Sequence, residues 1–436
     1  MIKRSFFGLA KPRFEYETTD GVPGEPEKIS APGKAMFLFK GERKDAALLK
    51  TGDKIKTGQK IVLYEDSDTY VISSVTGTVS SVSPYVGDFN APYIAVSVSV
   101  DDAEETDEQF ADASKDVTLD TAKDFLAFAP GCPSLDVFSD PDRPIKTIIL
   151  SCVDKDLLIA TNPYVVKSYM DQINQGLSIL KKITGVDHVV VISSQKMMKD
   201  ASAIGGASGV ELRVVGSEYP AAFPQAIMRN IMGKPLPAGG CCEDMGICFF
   251  SAEAVASVGK AFGDGQIPVT KTLTLINKNL KRVLVEARIG TPIRDIFNAC
   301  DVTVSEKDRI IIGGPLTGSA VYSEDYPVMP DTDAIMIQDG EDVSLVSDYP
   351  CVNCGECVRI CPAKVPVNMV VRFCEAGEYE TAADEYDLYS CIECGLCSYV
   401  CTAKMPIFQH IRLAKYELCQ IAAEEEETEE EEATDA

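Results

Sequence analysis

Between residues 27 and about 100, apolar and polar positions alternate in short bursts cut by glycines. Lys34-Ala-Met-Phe-Leu-Phe-Lys, the stretch from Leu49 to Leu63 with its two Thr-Gly turns, and Val75-Thr-Gly-Thr-Val-Ser-Ser-Val read as half-buried strands. From about 118 to 265 the pattern changes. Thr147-Ile-Ile-Leu-Ser-Cys, His188-Val-Val-Val-Ile-Ser and Val210-Glu-Leu-Arg-Val-Val-Gly suit buried strands, and Asn162 to Ile183 keeps a helical period between the first two. Strand and helix in alternation predict a parallel α/β layer. Residues 266 to 345 alternate again through Lys271-Thr-Leu-Thr-Leu-Ile and Arg282-Val-Leu-Val-Glu-Ala, a helix at Pro292 to Cys300 and a strand from Ile310, which predicts a small mixed α+β unit. Val367 to Phe373 and Tyr379 to Tyr386 carry helical patterns with Gly377 between them, so the last region is expected to be mainly helical.

A multidomain chain of α/β and α+β class follows. The expected divisions are a leader at 1–26, a strand-rich domain at 27–110, the α/β domain at 118–265, the mixed unit at 266–345, a cysteine-bearing domain at 346–418 and an acidic tail at 419–436. With 436 residues and 45% hydrophobic content the chain can bury several cores. It has no uninterrupted apolar run of membrane-spanning length, and charge follows its first residues, so a soluble or peripheral protein is expected. The net charge of −26 argues against a nucleic-acid partner. Nine of the acidic residues lie between Glu424 and Asp435, where like charges predict a disordered solubilising segment.

The chemistry is concentrated in two cysteine runs, Cys351-x2-Cys354-x2-Cys357-x3-Cys361-Pro362 and Cys391-x2-Cys394-x2-Cys397-x3-Cys401. Three thiolates at i, i+3 and i+6 let one loop wrap a cubane cluster, and in two-cluster proteins the last cysteine of each run serves the other centre. The spacing therefore assigns Cys351, Cys354, Cys357 and Cys401 to one [4Fe–4S] cluster, and Cys391, Cys394, Cys397 and Cys361 to a second. Zinc fits less well, since each run holds four cysteines and the chain has only two histidines, His188 and His410. A disulfide framework does not suit a long chain without a secretory signal. A purely structural role for the clusters is the bland alternative, because spacing does not fix a potential.

The first strand-rich domain resembles the barrel-sandwich domain of lipoyl and biotinyl carriers, but its expected hairpin tip, Ser73-Ser74-Val75-Thr76-Gly77-Thr78, lacks the carrier lysine and reads as scaffold. The whole order of parts, with Ile289-Gly-Thr-Pro-Ile-Arg-Asp-Ile, Gly313-Gly-Pro-Leu-Thr-Gly, Pro235-Leu-Pro-Ala-Gly-Gly and the two cysteine runs, resembles the C subunit of Rnf-type electron-transport complexes over nearly the whole chain. That resemblance implies a barrel-sandwich domain, a Rossmann-like domain, an SLBB-like β-grasp domain and a helical two-cluster ferredoxin domain. It also implies a peripheral subunit on the cytoplasmic side of the cell membrane, in a complex that couples electron transfer between ferredoxin and NAD to pumping of Na⁺ or H⁺, with the other Rnf-type subunits as partners.

One segment departs from the family. Its flavin loop has the form G-x-G-G-A-G-F-P-T, whose backbone N–H groups face phosphate; here the stretch reads Ala129-Pro-Gly-Cys-Pro-Ser-Leu-Asp-Val-Phe, and the acidic segment after the next strand becomes Ser151-Cys-Val-Asp-Lys-Asp. Two prolines remove donors. The altered loop predicts no FMN and no NADH oxidation, leaving reduced ferredoxin as the expected donor. The alternatives are an NADH-linked, FMN-containing subunit of the same complex and a soluble cobalamin reductase, which shares this layout.

Other residues have two readings. Cys241, Cys242 and Cys248, with Cys132 or Cys152, offer donors for a further metal, whereas free cysteines more often pack as small apolar groups. Cys300, Cys374 and Cys419 are expected to pack, and Gly313, Gly314 and Gly318 to form turns rather than bind phosphate. His188 is expected to be satisfied in the fold, and His410, near the second cysteine run, to pack. Lys404, Arg412 and Lys415 make a basic patch suited to an acidic ferredoxin or to solvation alone.

Overall fold

The computed structural model describes residues 12–16, 24–41, 47–65, 69–205, 209–343, 346–347 and 349–434, the last nine of these for their backbone alone. The leader expected at 1–26 lies mostly outside the described residues. The chain is a mixed α/β multidomain protein in two compact units, one comprising Phe14–Lys234 and Cys242–Glu341, the other Asp342–Ala436 with Pro235–Cys241 and Met1–Arg13.

In the larger unit, the first alternating bursts form a four-stranded antiparallel sheet in the order Lys34–Lys40, Pro92–Val100, Gly77–Val86 and Lys54–Ile55, beside a two-stranded pair of Lys60–Val62 and Tyr70–Ile72. Alternation places Ala35, Phe37 and Phe39 inward against Ile94, Val96 and Val98. The expected hairpin tip is not exposed. Ser73 and Ser74 are wholly buried; the Ser74 hydroxyl donates to the Ile289 carbonyl and its own carbonyl accepts from Arg288 at 2.7 Å, so the segment is anchored to a distant strand.

The β-branched runs form a parallel sheet in the order Val210–Val214, Val189–Ser193, Thr147–Ser151 and Ile247–Ser251. The helical period from Asn162 to Ile183 is broken at Tyr169 (φ −122°), giving helices Thr161–Ser168 and Met170–Thr184. The second lies directly on helix Ala252–Asp264. Glycines permit the approach: a Cβ on Gly176 would stand 2.0 Å from the Val255 carbonyl oxygen, and one on Gly259 2.0 Å from that of Gln172. A six-stranded mixed sheet follows, in the order Glu27–Lys28, Arg282–Arg288, Thr270–Ile276, Ala334–Gln338, Arg309–Ile312 and Ser319–Val321, with helix Ile293–Ala299 packed on it through Ile293, Ile296 and Phe297.

The smaller unit is helical, as its patterns predict: Glu356–Ile360, Val367–Ala376, Tyr379–Asp384, Leu396–Val400 and Ile407–Thr434. Gly377, at φ 78°, ends the second. The acidic segment is not an irregular tail, because the last helix runs on to Thr434. Alanine and glutamate are strong helix formers, and that propensity carries the backbone past the packed turns containing Ile411, Ala414 and Leu418.

Candidate metal centre

Each cysteine of the first run recurs 40 residues later, and the backbone repeats with it. Asn353 and Glu393 take left-handed φ values of 51° and 54°, Gly355 and Gly395 of 74° and 71°, and Lys364 and Lys404 of 64° and 54°. Each loop doubles back twice before a short helix that carries the third cysteine, then turns again after the fourth. Glycine meets one of these turns without strain, while Asn353 and Glu393 are held there by their surroundings. The N–H groups of Asn353 and Glu393 donate to the Cys351 and Cys391 sulfurs, both at 3.4 Å.

The thiols gather in two crossed sets. Burial pushes Cys357 up to about 11, and the thiols that raise it further belong to Cys351, Cys354 and Cys401. Burial raises Cys397 well above its ordinary value, reinforced by Cys391, Cys394 and Cys361, and Cys394 is pushed up to about 12 beside Cys391 and Cys361. Cys361 thus stands near Cys391, Cys394 and Cys397 of the other run, and Cys401 near Cys357 of the first. Four soft sulfur donors per set, with protein N–H groups aimed at the sulfurs, fit an iron–sulfur cluster. Among the described residues, no group of three or more His, Cys, Asp or Glu side chains is drawn together as around a single metal ion.

The two sets differ in cover. Val352, Asn353 and Cys354 are exposed, whereas Ile392 and Glu393 are half-buried and Cys394 is buried. Burial pushes the Cys354 thiol up, but the Thr402 hydroxyl, 3.5 Å from its sulfur, and backbone N–H groups hold it below the ordinary value. Over the second loop, Lys415 donates to the Cys391 carbonyl at 2.7 Å and to Glu393 at 2.8 Å. Lys415 is therefore an internal tie, not a member of an open basic patch with Lys404 and Arg412. The His410 N–H donates to the Pro406 carbonyl at 3.1 Å.

At the carboxyl edge of the parallel sheet, where open α/β sheets take ligands, the acids of the Ser151-Cys-Val-Asp-Lys-Asp segment are joined by Glu253, Lys271 and Asp333, which the sequence pattern does not single out. Glu253, in the first turn of helix Ala252–Asp264, is buried and joined to the wholly buried Lys271, which also reaches Asp333 at 2.9 Å. Asp154 accepts from the Asn162 N–H at 3.1 Å and its side-chain amide at 2.7 Å, and its other oxygen is buried without a partner. Asp156 accepts from Leu316 and Thr317 N–H groups and the Thr317 hydroxyl at 2.7 to 3.0 Å. Gly313-Gly-Pro-Leu-Thr-Gly is therefore a turn closed around a carboxylate, as a turn reading expects, and a Cβ on Gly314 would meet Asp156 at 2.4 Å. Gly131, at φ 85°, gives its N–H to the Pro330 carbonyl at 2.9 Å, and a Cβ there would stand 2.5 Å from the Ala254 nitrogen. A nearby cavity of about 280 Å³ is lined by Lys260, Tyr169, Glu253, Asp264 and Glu286, so carboxylates outnumber its ammonium.

The remaining cysteines form no metal-holding group among the described residues, although Cys242 lies near enough to Cys248 to raise its pKa. Cys152 and Cys248 are buried core thiols pushed up to about 12, and Cys132, also near 12 through burial, lies beside Asp331 and Lys271. Cys374 is buried on its helix, but Cys419 is exposed on the last helix, contrary to the packing expectation. His188 bonds Thr147 through Nδ1 at 3.0 Å.

A family described as "Nuo51 FMN-binding domain" matches residues 134–260, beginning inside the altered loop at Ser134. The C subunit of the Na⁺-translocating ferredoxin:NAD⁺ oxidoreductase complex of Acetobacterium woodii is 25% identical, covering 84% of this chain and 86% of its own length. Its proton-translocating counterpart in Clostridium ljungdahlii is 26% identical, covering 88% of each. The C subunit of the ion-translocating oxidoreductase complex of Klebsiella pneumoniae is 25% identical over 82% of this chain, which spans about half (49%) of that relative's length. Over most of its length, the chain resembles the C subunits of ion-translocating oxidoreductase complexes.

Proposed function

We propose that this chain is a peripheral iron–sulfur subunit of an Rnf-type membrane complex, relaying electrons between reduced ferredoxin and membrane subunits that pump Na⁺ or H⁺. The observation that carries this reading is the duplicated loop with its crossed thiols, Cys351, Cys354, Cys357 and Cys401 in one set and Cys391, Cys394, Cys397 and Cys361 in the other. A [4Fe–4S] cluster held by each set would supply one-electron storage. The N–H groups of Asn353, Glu393 and Met405 donate to the Cys351, Cys391 and Cys401 sulfurs and would tune the potentials of clusters held there. No helix among the described residues is long and apolar enough to cross a membrane, which suits a peripheral place in the assembly.

In this reading the strand-rich, α/β and mixed units correspond to barrel-sandwich, Rossmann-like and SLBB-like β-grasp domains that serve as scaffold. The residues at the sheet's carboxyl edge do not fit FMN. Its phosphate would need free N–H groups, and in the loop the Gly131 N–H is committed to Pro330 and the Cys132 N–H to Ala129, with the acids Asp154, Asp156 and Glu253 buried at the same edge. The family match at 134–260 favours a second reading, an NADH-linked subunit that keeps FMN. Anaerobic addition of reduced ferredoxin or NADH to the purified chain separates the two. Bleaching of cluster absorbance by ferredoxin alone supports the relay; bleaching by NADH with released flavin supports the second reading and overturns the first.

A further inference from the structure

The two halves of the cysteine duplication have the same backbone and unequal surfaces. In the second, Glu393 is held by Lys415, and Tyr389 stands beside Gly239 of the segment Pro235–Cys241. In the first, the equivalent loop is open: Val352 is 65% exposed, and Tyr349 and Val346, just before it, are 78% and 56% exposed. Large apolar side chains grouped at the surface beside a redox ligand mark a contact face more than they mark a solvated loop.

Lysines flank this patch on two sides. Lys404 belongs to the turn after Cys401, its carbonyl accepts from the Ser347 N–H at 3.1 Å, and its near neighbour Thr402 touches the Cys354 sulfur. Lys364 occupies the matching turn of the first half, just before Asn368, whose amide donates to Asn353 in the open loop at 2.8 Å. Both lysines are exposed, and among the described residues no carboxylate pairs with either. Arg359, by contrast, is tied to Glu356 at 2.6 Å. An apolar centre with a cationic rim, on a chain of net charge −26, is complementary to an acidic partner where the rest of the surface repels one.

We propose that the open loop at Val352 to Cys354, with Val346 and Tyr349 and the lysines Lys364 and Lys404, is the docking face for an acidic ferredoxin, so that the carrier meets the set containing Cys354 rather than the one containing Cys394. This rests on the two-cluster reading and adds the side from which it is approached. Lys404 keeps the role its composition suggested, and Lys364 replaces Lys415 as its partner.

The test uses the full chain with its clusters and a small acidic bacterial ferredoxin, read by binding affinity at two salt concentrations and by the rate of cluster reduction. The double variant Lys364→Glu/Lys404→Glu weakens binding by about tenfold or more and flattens its salt dependence, and Val352→Glu weakens it as well. Reduction by dithionite stays as in the parent, which checks that the clusters are intact. A control reversal at Lys281, in the other unit, changes nothing. Binding within twofold of the parent for the double variant overturns the docking face, as does a parent chain that dithionite bleaches but ferredoxin does not bind. A parent that dithionite fails to bleach overturns the two-cluster reading itself.

Discussion

The ammonium of Lys271, wholly buried on the strand Thr270–Ile276, is joined to the carboxylate of Glu253 at the start of helix Ala252–Asp264, so that an ion pair ties the mixed sheet to the parallel one inside their shared unit. Burial alone would lower the lysine's pKa, but Asp333 and Glu253 together hold it above its ordinary value. Removing one partner of such a pair strands a buried charge. Lys271→Met is expected to cost about 3–5 kcal/mol in denaturant unfolding. Lys271→Met/Glu253→Gln should recover part of that loss, and a double variant as unstable as the sum of its singles would contradict the pairing.

Asp154 gives a pH dependence of known sign. Burial, and then the nearby Asp333, push its carboxyl up to about 7 from an ordinary 3.8, and one of its oxygens has no partner. A raised folded-state pKa means the folded protein holds the proton more tightly. The stability this contributes is present in full below about pH 4 and is lost as pH rises through 7. Asp154→Asn cannot ionise, so its melting temperature relative to the parent should rise between pH 5 and pH 8. A difference independent of pH would show that this carboxyl does not titrate in that window.

The packing of helix Met170–Thr184 on Ala252–Asp264 leaves no room for a methyl group at Gly176. The obstacle is the Val255 carbonyl, which cannot rotate away as a side chain would. Gly176→Ala is expected to destabilise by about 1–3 kcal/mol despite its better helix propensity. Equal or greater stability on thermal unfolding would mean the helices separate at little cost.

Much of the fold was legible because its signals are local. Ile148 to Leu150 and Val189 to Ile192 are apolar runs that only a doubly covered strand explains, and the cysteine spacing carries its own geometry. What escaped is long-range. Ser73 and Ser74 read as a polar tip, yet Ser73 is hydrogen-bonded to Gly58 and Gln59, and Ser74 to Arg288 and Ile289, more than 200 positions later. Lys271 sits in an alternating run whose lysine ordinarily faces water, and Glu253 lies at a helix start where acids are common. Neither residue announces the other. The loop at Ala129 to Cys132 was legible as a loss of donors, but its seat against Ala254 and Pro330 required the structure.

Crossed ligation is open to a counting test. Cys401→Ser should lower bound iron by about half. If Cys401 serves the first loop's cluster, adding Cys351→Ser costs no further iron, whereas adding Cys391→Ser removes nearly all of it. The reverse pattern would mean that each run holds its own cluster.

The most direct test of the central claim is the cofactor content of the anaerobically purified chain, with iron, acid-labile sulfide and flavin counted on one sample. Two [4Fe–4S] clusters on crossed cysteines, with a closed flavin region, predict about eight irons, about eight sulfides and no flavin per chain. Stoichiometric FMN would contradict the closed region, and zinc or about four irons would contradict the two-cluster assignment.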